Sequence, residues 1–165
     1  MEAVHGMARG SRVLYYASRS CNDNDFLDTL ARVVDDDKAS IVTNSWGELS
    51  STETSGSIHA YESIFEQGAV QGIGFFFSSG DDGDEVAASG QLRTDYPASD
   101  PYVTAVGGTS LPVGRRESYM WEAGWGALEF ALSKSGAARG SRKASSTERE
   151  AGSAPSSTVP LTSGA

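Results

Sequence analysis

The chain has 165 residues, a formal net charge of −9, a sequence pI near 4.6 and 38% apolar residues. This length is enough for one domain with a hydrophobic core, although the apolar share lies below the roughly 45–50% typical of globular domains. The acidic balance disfavours nucleic-acid binding, and no apolar run approaches the roughly 20 residues that span a bilayer, which disfavours membrane insertion.

Charge and aromatic content divide the chain near Gly126. Residues 1–126 carry 8 Lys and Arg against 19 Asp and Glu, whereas residues 127–165 carry 5 against 3 and a single aromatic residue, Phe130. From residue 137 the chain is mostly small and polar, without periodicity, a composition that cannot offset the entropy of ordering. We therefore predict one domain over residues 1–126 and a low-complexity, disordered tail over residues 127–165.

The first half of the domain predicts strand, helix and strand. Residues 12–17 are rich in β-branched and aromatic side chains and predict a strand. Residues 25–36 repeat apolar side chains at helical spacing, which predicts an amphipathic helix. Residues 40–44 predict a short strand that ends at Ser45-Trp46-Gly47.

The second half predicts helix, strand, strand and hairpin. A helix is expected from about Ser57 to Gly68 or Gly72, followed by a strand over residues 73–77 buried on both faces. A further strand is expected over residues 101–106, and a hairpin over residues 110–126. Alternating strands and helices predict an α/β fold with a doubly wound, mainly parallel sheet and ligands at the carboxyl ends of its strands.

One segment stands out chemically without reference to any family. Residues 78–85 (Ser-Ser-Gly-Asp-Asp-Gly-Asp-Glu) place four carboxylates directly after an apolar strand. Like charges within a few ångström disfavour joint ionisation, so one carboxyl is expected to keep its proton into mildly acidic pH and to donate a hydrogen bond. A solvated acidic turn is the alternative interpretation.

Other chemistries find little support in the residue types. The acidic segment lacks the spacing of an EF-hand calcium loop, since Ser89 stands where the final Glu is needed. The single cysteine, Cys21, allows neither an internal disulfide nor a multi-cysteine metal site. His5 and His59 lack the context of a Ser-His-Asp triad. We therefore expect no metal or cofactor in this chain.

Three phrases that occur in order resemble the sedolisin family of serine-carboxyl peptidases, which have a subtilisin-like fold. They are residues 41–47 (Ile-Val-Thr-Asn-Ser-Trp-Gly), residues 77–81 (Phe-Ser-Ser-Gly-Asp) and residues 96–109 (Tyr-Pro-Ala-Ser-Asp-Pro-Tyr-Val-Thr-Ala-Val-Gly-Gly-Thr). The resemblance covers roughly residues 2–126. It implies an acid-active serine-type endopeptidase that acts on peptides or proteins outside the cell, although the chain shows no signal peptide.

The resemblance also implies roles for particular residues. Asp81 matches the aspartic acid of the oxyanion hole, where a protonated carboxyl donates a hydrogen bond to the tetrahedral intermediate. Trp46 matches the tryptophan that supports the catalytic carboxylates. The resemblance further implies substrate binding by four neighbouring residues: Ser45, Gly47, Ser79 and Gly80.

Several family features have no counterpart in the 165 residues. The family's catalytic Glu and Asp precede the segment that resembles residues 2–10, its nucleophile follows in a Ser-Gly-Thr-Ser segment, and its calcium loop lies further on. We therefore expect an incomplete domain that does not cleave peptides alone. The composition of the tail suggests the hypothesis of a GC-rich gene read out of frame after about Ser135. A noncatalytic acidic module that binds extended peptides is the alternative function.

Overall fold

The computed structural model describes residues 2–132 and 138–144. Its helices are α1 (Glu2–Met7), α2 (Asp23–Asp36), α3 (Ser55–Gln71) and α4 (Val86–Ser89). Its strands are β1 (Ile41–Asn44), β2 (Glu48–Leu49), β3 (Gly74–Ser78), β4 (Asp95–Tyr96), β5 (Val103–Val106), β6 (Thr109–Ser110), β7 (Ala123–Gly124), β8 (Gly126–Leu132) and β9 (Ala138–Ala144).

A three-stranded parallel sheet in the order β1-β3-β5 forms the centre of the fold. Strand β3 carries alternating burial, with Phe75 and Phe77 almost fully buried and Phe76 half-buried on the opposite face. The mainly parallel sheet predicted from the sequence is confirmed. Burial of β3 on both faces was expected, whereas the described residues bury it fully on one face.

Helices α2 and α3 cover the face of the sheet that carries Phe75 and Phe77. The apolar stripe of each helix follows the spacing of 3.6 residues per turn, so each helix turns its larger side chains towards the sheet. Gly68 on α3 permits close contact, because a Cβ atom there would lie 2.4 Å from Cε2 of Phe75. The core that results consists of Leu30, Val34, Tyr61, Phe65, Ile73, Phe75, Phe77 and Tyr96.

The ends of α3 agree with the sequence prediction. The hydroxyl of Thr54 accepts a hydrogen bond from the backbone N–H of Ser57 at 3.1 Å and caps the first turn. Gly72 adopts a φ of 82° and ends the helix, and the N–H of Ile73 donates to the carbonyl of Gly68 at 2.8 Å. This left-handed glycine cap satisfies carbonyls that would otherwise lack donors.

The predicted strand over residues 12–17 is wrong. Within the described residues this segment forms no β-ladder, although the Tyr16 hydroxyl ties it to α2 by donating to Asp36 Oδ2 at 3.0 Å. Strand propensity measures how well a side chain fits a pleated surface, and it needs a neighbouring strand to take effect. Residues 12–17 have the composition of a strand, but no strand among the described residues pairs with them.

The region after Val106 contains two antiparallel pairs. Strands β6 and β7 pair, and Val113 bridges Tyr119 around a 3-10 turn at Arg115–Glu117, which confirms the predicted hairpin. Strands β8 and β9 also pair, an addition that the sequence did not predict. The remainder of the predicted disordered tail, residues 133–137 and 145–165, lies outside the described residues.

Candidate functional site

Two loops leave neighbouring parallel strands at the same edge of the sheet. Asn44, the last residue of β1, pairs with Phe77 of β3. Ser45, Trp46 and Gly47 therefore begin next to the segment that runs from Ser78 to Asp81. Ligands of α/β sheets bind at the carboxyl ends of the strands, so the structure brings the predicted site residues to the expected edge.

Trp46 fixes the first loop by aromatic packing. Its ring stacks on Phe26 of α2, with centroids 4.1 Å apart and planes 7° apart. It also meets Phe77 edge-on, at a centroid distance of 5.0 Å and an interplanar angle of 87°. Offset-stacked and edge-on pairs each add stability beyond the area they bury. Trp46 is half-buried, while Ser45 and Gly47 on either side of it are exposed.

Strand β4 connects the two loops. Its Tyr96 pairs with Glu48 of β2, and the Tyr96 carbonyl oxygen lies 3.0 Å from the position of a Cβ atom at Gly47. The second loop approaches even more closely, since a Cβ atom at Gly80 would lie 1.9 Å from Oδ2 of Asp95. A side chain at either glycine would therefore require a neighbour to shift, namely the backbone of Tyr96 at Gly47 and the side chain of Asp95 at Gly80.

The acidic segment forms a turn after Gly80. Asp81 is exposed, so its carboxyl is open to a bound molecule. Further along, Asp84 Oδ1 accepts a hydrogen bond from the N–H of Val86 at 3.2 Å, and Glu85 is buried with a φ of 64°. These contacts hold the far side of the turn. Both interpretations of this segment, a catalytic Asp81 and a solvated acidic turn, are consistent with the geometry.

Asp95 is a titratable residue of this site that the sequence interpretation missed. Burial raises the pKa of its carboxyl, and the negative charges of Asp82 and Asp81 raise it further. The crowding predicted for the acidic turn thus acts on a residue brought in by β4. The signal in the sequence was its position directly before Tyr96-Pro97, where the phrase over residues 96–109 begins.

Tyr96 anchors β4 to the core. Its hydroxyl donates to Asp100 Oδ2 at 3.0 Å, and Asp100 Oδ1 in turn accepts the backbone N–H of Tyr102 at 2.9 Å. Burial raises the pKa of the Tyr96 phenol, and the Asp100 charge adds to the shift. The phenol therefore stays protonated and keeps its role as a donor.

The two histidines lie on helices and are exposed. His5 is on α1, and His59 is on α3 with its Nδ1 3.6 Å from Glu62 Oε2. Both positions are those of ordinary surface histidines. Among the described helices, none combines the length and the apolar character needed to cross a bilayer.

Comparison with known proteins gives consistent matches. The model of the subtilase family matches residues 1–161. Kumamolisin from Bacillus sp. (strain MN-32) is 32% identical over 114 residues, which are 67% of this chain and 20% of that protein. Tripeptidyl-peptidase 1 from Canis lupus familiaris is 39% identical over 72 residues, which are 42% of this chain and 13% of that protein.

A solved structure agrees with both matches. Pseudomonas sedolisin, a serine-carboxyl proteinase complexed with two molecules of pseudo-iodotyrostatin, superposes with a TM-score of 0.68 and 26% sequence identity. The superposition covers 85% of this chain and 40% of that one. The chain therefore spans a fifth or less of the length of the curated relatives named above, and less than half of the solved structure.

Proposed function

The chain belongs to the subtilase family, within its sedolisin branch, and from that membership we propose that residues 1–126 are the part of a serine-type endopeptidase domain that carries the oxyanion carboxyl. One observation carries the proposal. The loops at Ser45–Gly47 and Ser78–Asp81 leave adjacent parallel strands and are both held against β4. A peptide bound at this edge would lie along the first loop and present its carbonyl to the second.

Asp81 is the proposed donor to the oxyanion. A protonated carboxyl donates one hydrogen bond, whereas an ionised carboxylate only accepts, so this role requires acid. The raised pKa of Asp95, caused first by burial and then by the charges of Asp82 and Asp81, supports acid operation, because this carboxyl at the same edge holds a proton more readily than an exposed aspartic acid. Trp46 supports the catalytic carboxylates in this scheme, while backbone groups of Ser45, Gly47, Ser79 and Gly80 bind the substrate.

The 165 residues alone are proposed to be inactive. Of the catalytic groups that the family uses, they supply the one that matches Asp81 and contain no Ser-Gly-Thr-Ser segment for the nucleophile. The remaining expectations stay as proposals: peptides or proteins as substrates, no nucleic acid or membrane partner, no calcium held by this chain, and an extracellular location.

The test has two arms. Purified chain incubated with an unfolded protein between about pH 3 and 5, the range in which carboxyls titrate, should show no turnover above a blank. In the second arm, residues 41–111 replace the matching segment of kumamolisin. The Asp81→Asn variant of this chimera should lose about 100- to 1000-fold in kcat, the effect of removing one oxyanion donor.

Asp84→Asn, in the same acidic turn, is the matched control for the chimera and should retain most of its activity. Equal activity of the Asp81→Asn and Asp84→Asn chimeras would refute the oxyanion assignment. Turnover by the isolated chain that Asp81→Ala abolishes would refute the proposal that it is inactive alone.

A noncatalytic peptide-binding module is the second candidate function. Within the described residues, β1 is an outer strand of the parallel sheet and pairs with β3 alone. Outer strands can bind an extended peptide through main-chain hydrogen bonds. Peptide titration at acidic and neutral pH separates the two candidates, since saturable binding without hydrolysis supports a module and an absence of binding opposes it.

A further inference from the structure

A second group of carboxylates lies apart from the acidic turn. Asp23 begins α2, Glu48 belongs to β2, and Glu53 lies in the loop that leads to α3. Each contributes one carboxylate oxygen to a set whose members all lie within 4.8 Å of one another. The start of α2 therefore meets the segment from β2 to the loop before α3 at one small cluster of like charges, here called the clasp cluster.

The groups around Glu53 come from every element packed against it. Tyr61 on α3 donates its hydroxyl to Asp23 Oδ1 at 3.2 Å, so it stabilises a negative charge on that residue. The groups that act electrostatically on Glu53, or on which its charge acts, are Asp23 from α2, Glu48 from β2, Ser57 and Tyr61 from α3, and Tyr96 from β4.

Glu53 holds a proton more readily than an exposed glutamic acid. Among the described residues, its Oε2 atom is shielded from solvent and has no hydrogen-bond partner. Ionised carboxylates only accept hydrogen bonds, so Glu53 and Glu48 can bond to each other only when one is protonated. Burial first, and the charge of Asp23 next, raise the pKa of Glu53 to about 7.

We propose that residues 48–54 form an acid-closed clasp: a proton on Glu53 lets it bond to Glu48 and removes its repulsion of Asp23 on α2, and loss of that proton loosens the segment. The segment directly follows Gly47, at the edge where the two loops meet. Closure in acid would therefore fix the first loop in place, and opening near neutral pH would release it. The inference rests on the clasp cluster and does not depend on the proposed peptidase function.

A proton, rather than a metal ion, is the bound species in this proposal. Clusters of exposed acidic groups are common without a bound cation, and the acidic residues are the sole feature here that would suggest one. The shielded, unpartnered oxygen of Glu53 instead indicates that neutralisation occurs on that side chain. Buffers with EDTA keep trace divalent cations from substituting for the proton in the experiment.

The expected pH dependence follows from the direction of the shift. A carboxyl whose folded pKa lies above its usual value of 4.5 binds more protons when folded than when unfolded. Its favourable contribution is complete below about pH 4.5 and is lost as the pH rises to about 7. The pKa of Asp36 is instead lowered, first by the hydrogen bond from Tyr16. Its contribution to stability is therefore lost as the pH falls, below the range in which Glu53 titrates.

The test compares three forms of the 165-residue chain by thermal unfolding between pH 4.5 and 7.5, values that bracket the titration of Glu53. These are the unaltered chain, Glu53→Gln and Glu66→Gln, the last being an exposed carboxylate on α3. The amide introduced by Glu53→Gln mimics the protonated carboxyl. The unfolding constant of the unaltered chain and of Glu66→Gln should rise about ten- to a hundredfold over this range because of Glu53.

The Glu53→Gln chain should show a flatter profile and should be the most stable of the three at pH 7.5. Amide hydrogen exchange over residues 48–54, corrected for the intrinsic rate at each pH, gives the local measurement. It should accelerate towards neutral pH in the unaltered chain and stay protected in Glu53→Gln. Parallel stability profiles for Glu53→Gln and Glu66→Gln, or no cooperative transition at pH 4.5, would overturn the proposal.

Discussion

Gly80 and Asp95 show how a single residue sets the geometry of the candidate site. Gly80 has a φ of 96°, a backbone conformation that residues with a side chain rarely adopt. Its missing side chain also leaves room for the carboxylate of Asp95, whose Oδ2 occupies the space of a Cβ atom. A side chain at this position would therefore meet both an unfavourable backbone conformation and the carboxylate of Asp95.

Replacing Gly80 with Ala should lower the free energy of unfolding by about 2–4 kcal/mol, because backbone strain adds to the clash with Asp95. Chemical denaturation measures the change. The matched control is Gly10→Ala, at a position where a Cβ atom would meet nothing within 4 Å. The double variant Gly80→Ala, Asp95→Ala should recover part of the loss, and a loss that the second change leaves intact would contradict the steric explanation.

Helix α3 shows which features of a single element depend on neighbouring residues and which depend on distant ones. The sequence predicts this helix and its end at a glycine, because its apolar spacing and its caps depend on neighbouring residues alone. It does not indicate that Glu48–Leu49, inside a polar loop, would pair with Asp95–Tyr96. Two-residue strands carry no periodicity, and their pairing depends on a segment more than 40 residues away.

Removing the cap of α3 provides a test at this scale. Thr54→Ala should lower the free energy of unfolding by about 1 kcal/mol, because the N–H of Ser57 loses its acceptor. Thr54→Ser keeps the hydroxyl and should retain nearly full stability. Equal losses in the two variants would show that the methyl group of Thr54, and not its hydrogen bond, stabilises the helix start.

At the scale of the whole molecule, the described residues pack around an aromatic core on one face of the sheet. Phe65 is fully buried at its centre, with ring centroids 5.0 Å from Phe75 and 5.5 Å from Phe77. The opposite face of the sheet presents Ile41, which is 68% exposed, and Val106, which is 47% exposed. Stability among the described residues therefore depends on the face that α2 and α3 cover.

Phe65→Ala should lower the free energy of unfolding by about 3–5 kcal/mol, since it removes a buried ring and leaves a cavity. Folded domains are commonly stable by about 5–15 kcal/mol, so this variant is expected to lose a large part of the total. Denaturant titration measures the loss. Val70→Ala, on the exposed side of the same helix, should change stability by less than about 0.5 kcal/mol.

The sequence by itself determined the parallel sheet, the two long helices and the family, because these depend on local periodicity and on phrases of contiguous residues. It also predicted the two loops at Trp46 and Asp81. Their catalytic and binding roles remain predictions, and the geometry is consistent with them. The strand over residues 12–17 failed, because local propensity carries no information on whether a partner strand is present.

The tertiary structure alone decided which carboxyls come together. Asp95 reaches the acidic turn because β4 pairs with β2, and the clasp cluster brings Asp23 of α2 to Glu48 and Glu53 of a later segment. Burial and the charges of distant residues, which set the direction of a pKa shift, arise only after the chain has folded. Sequence reasoning thus located the edge of the sheet where a ligand would bind, whereas only the fold identified Asp95 and Glu53 as carboxyls with a raised pKa.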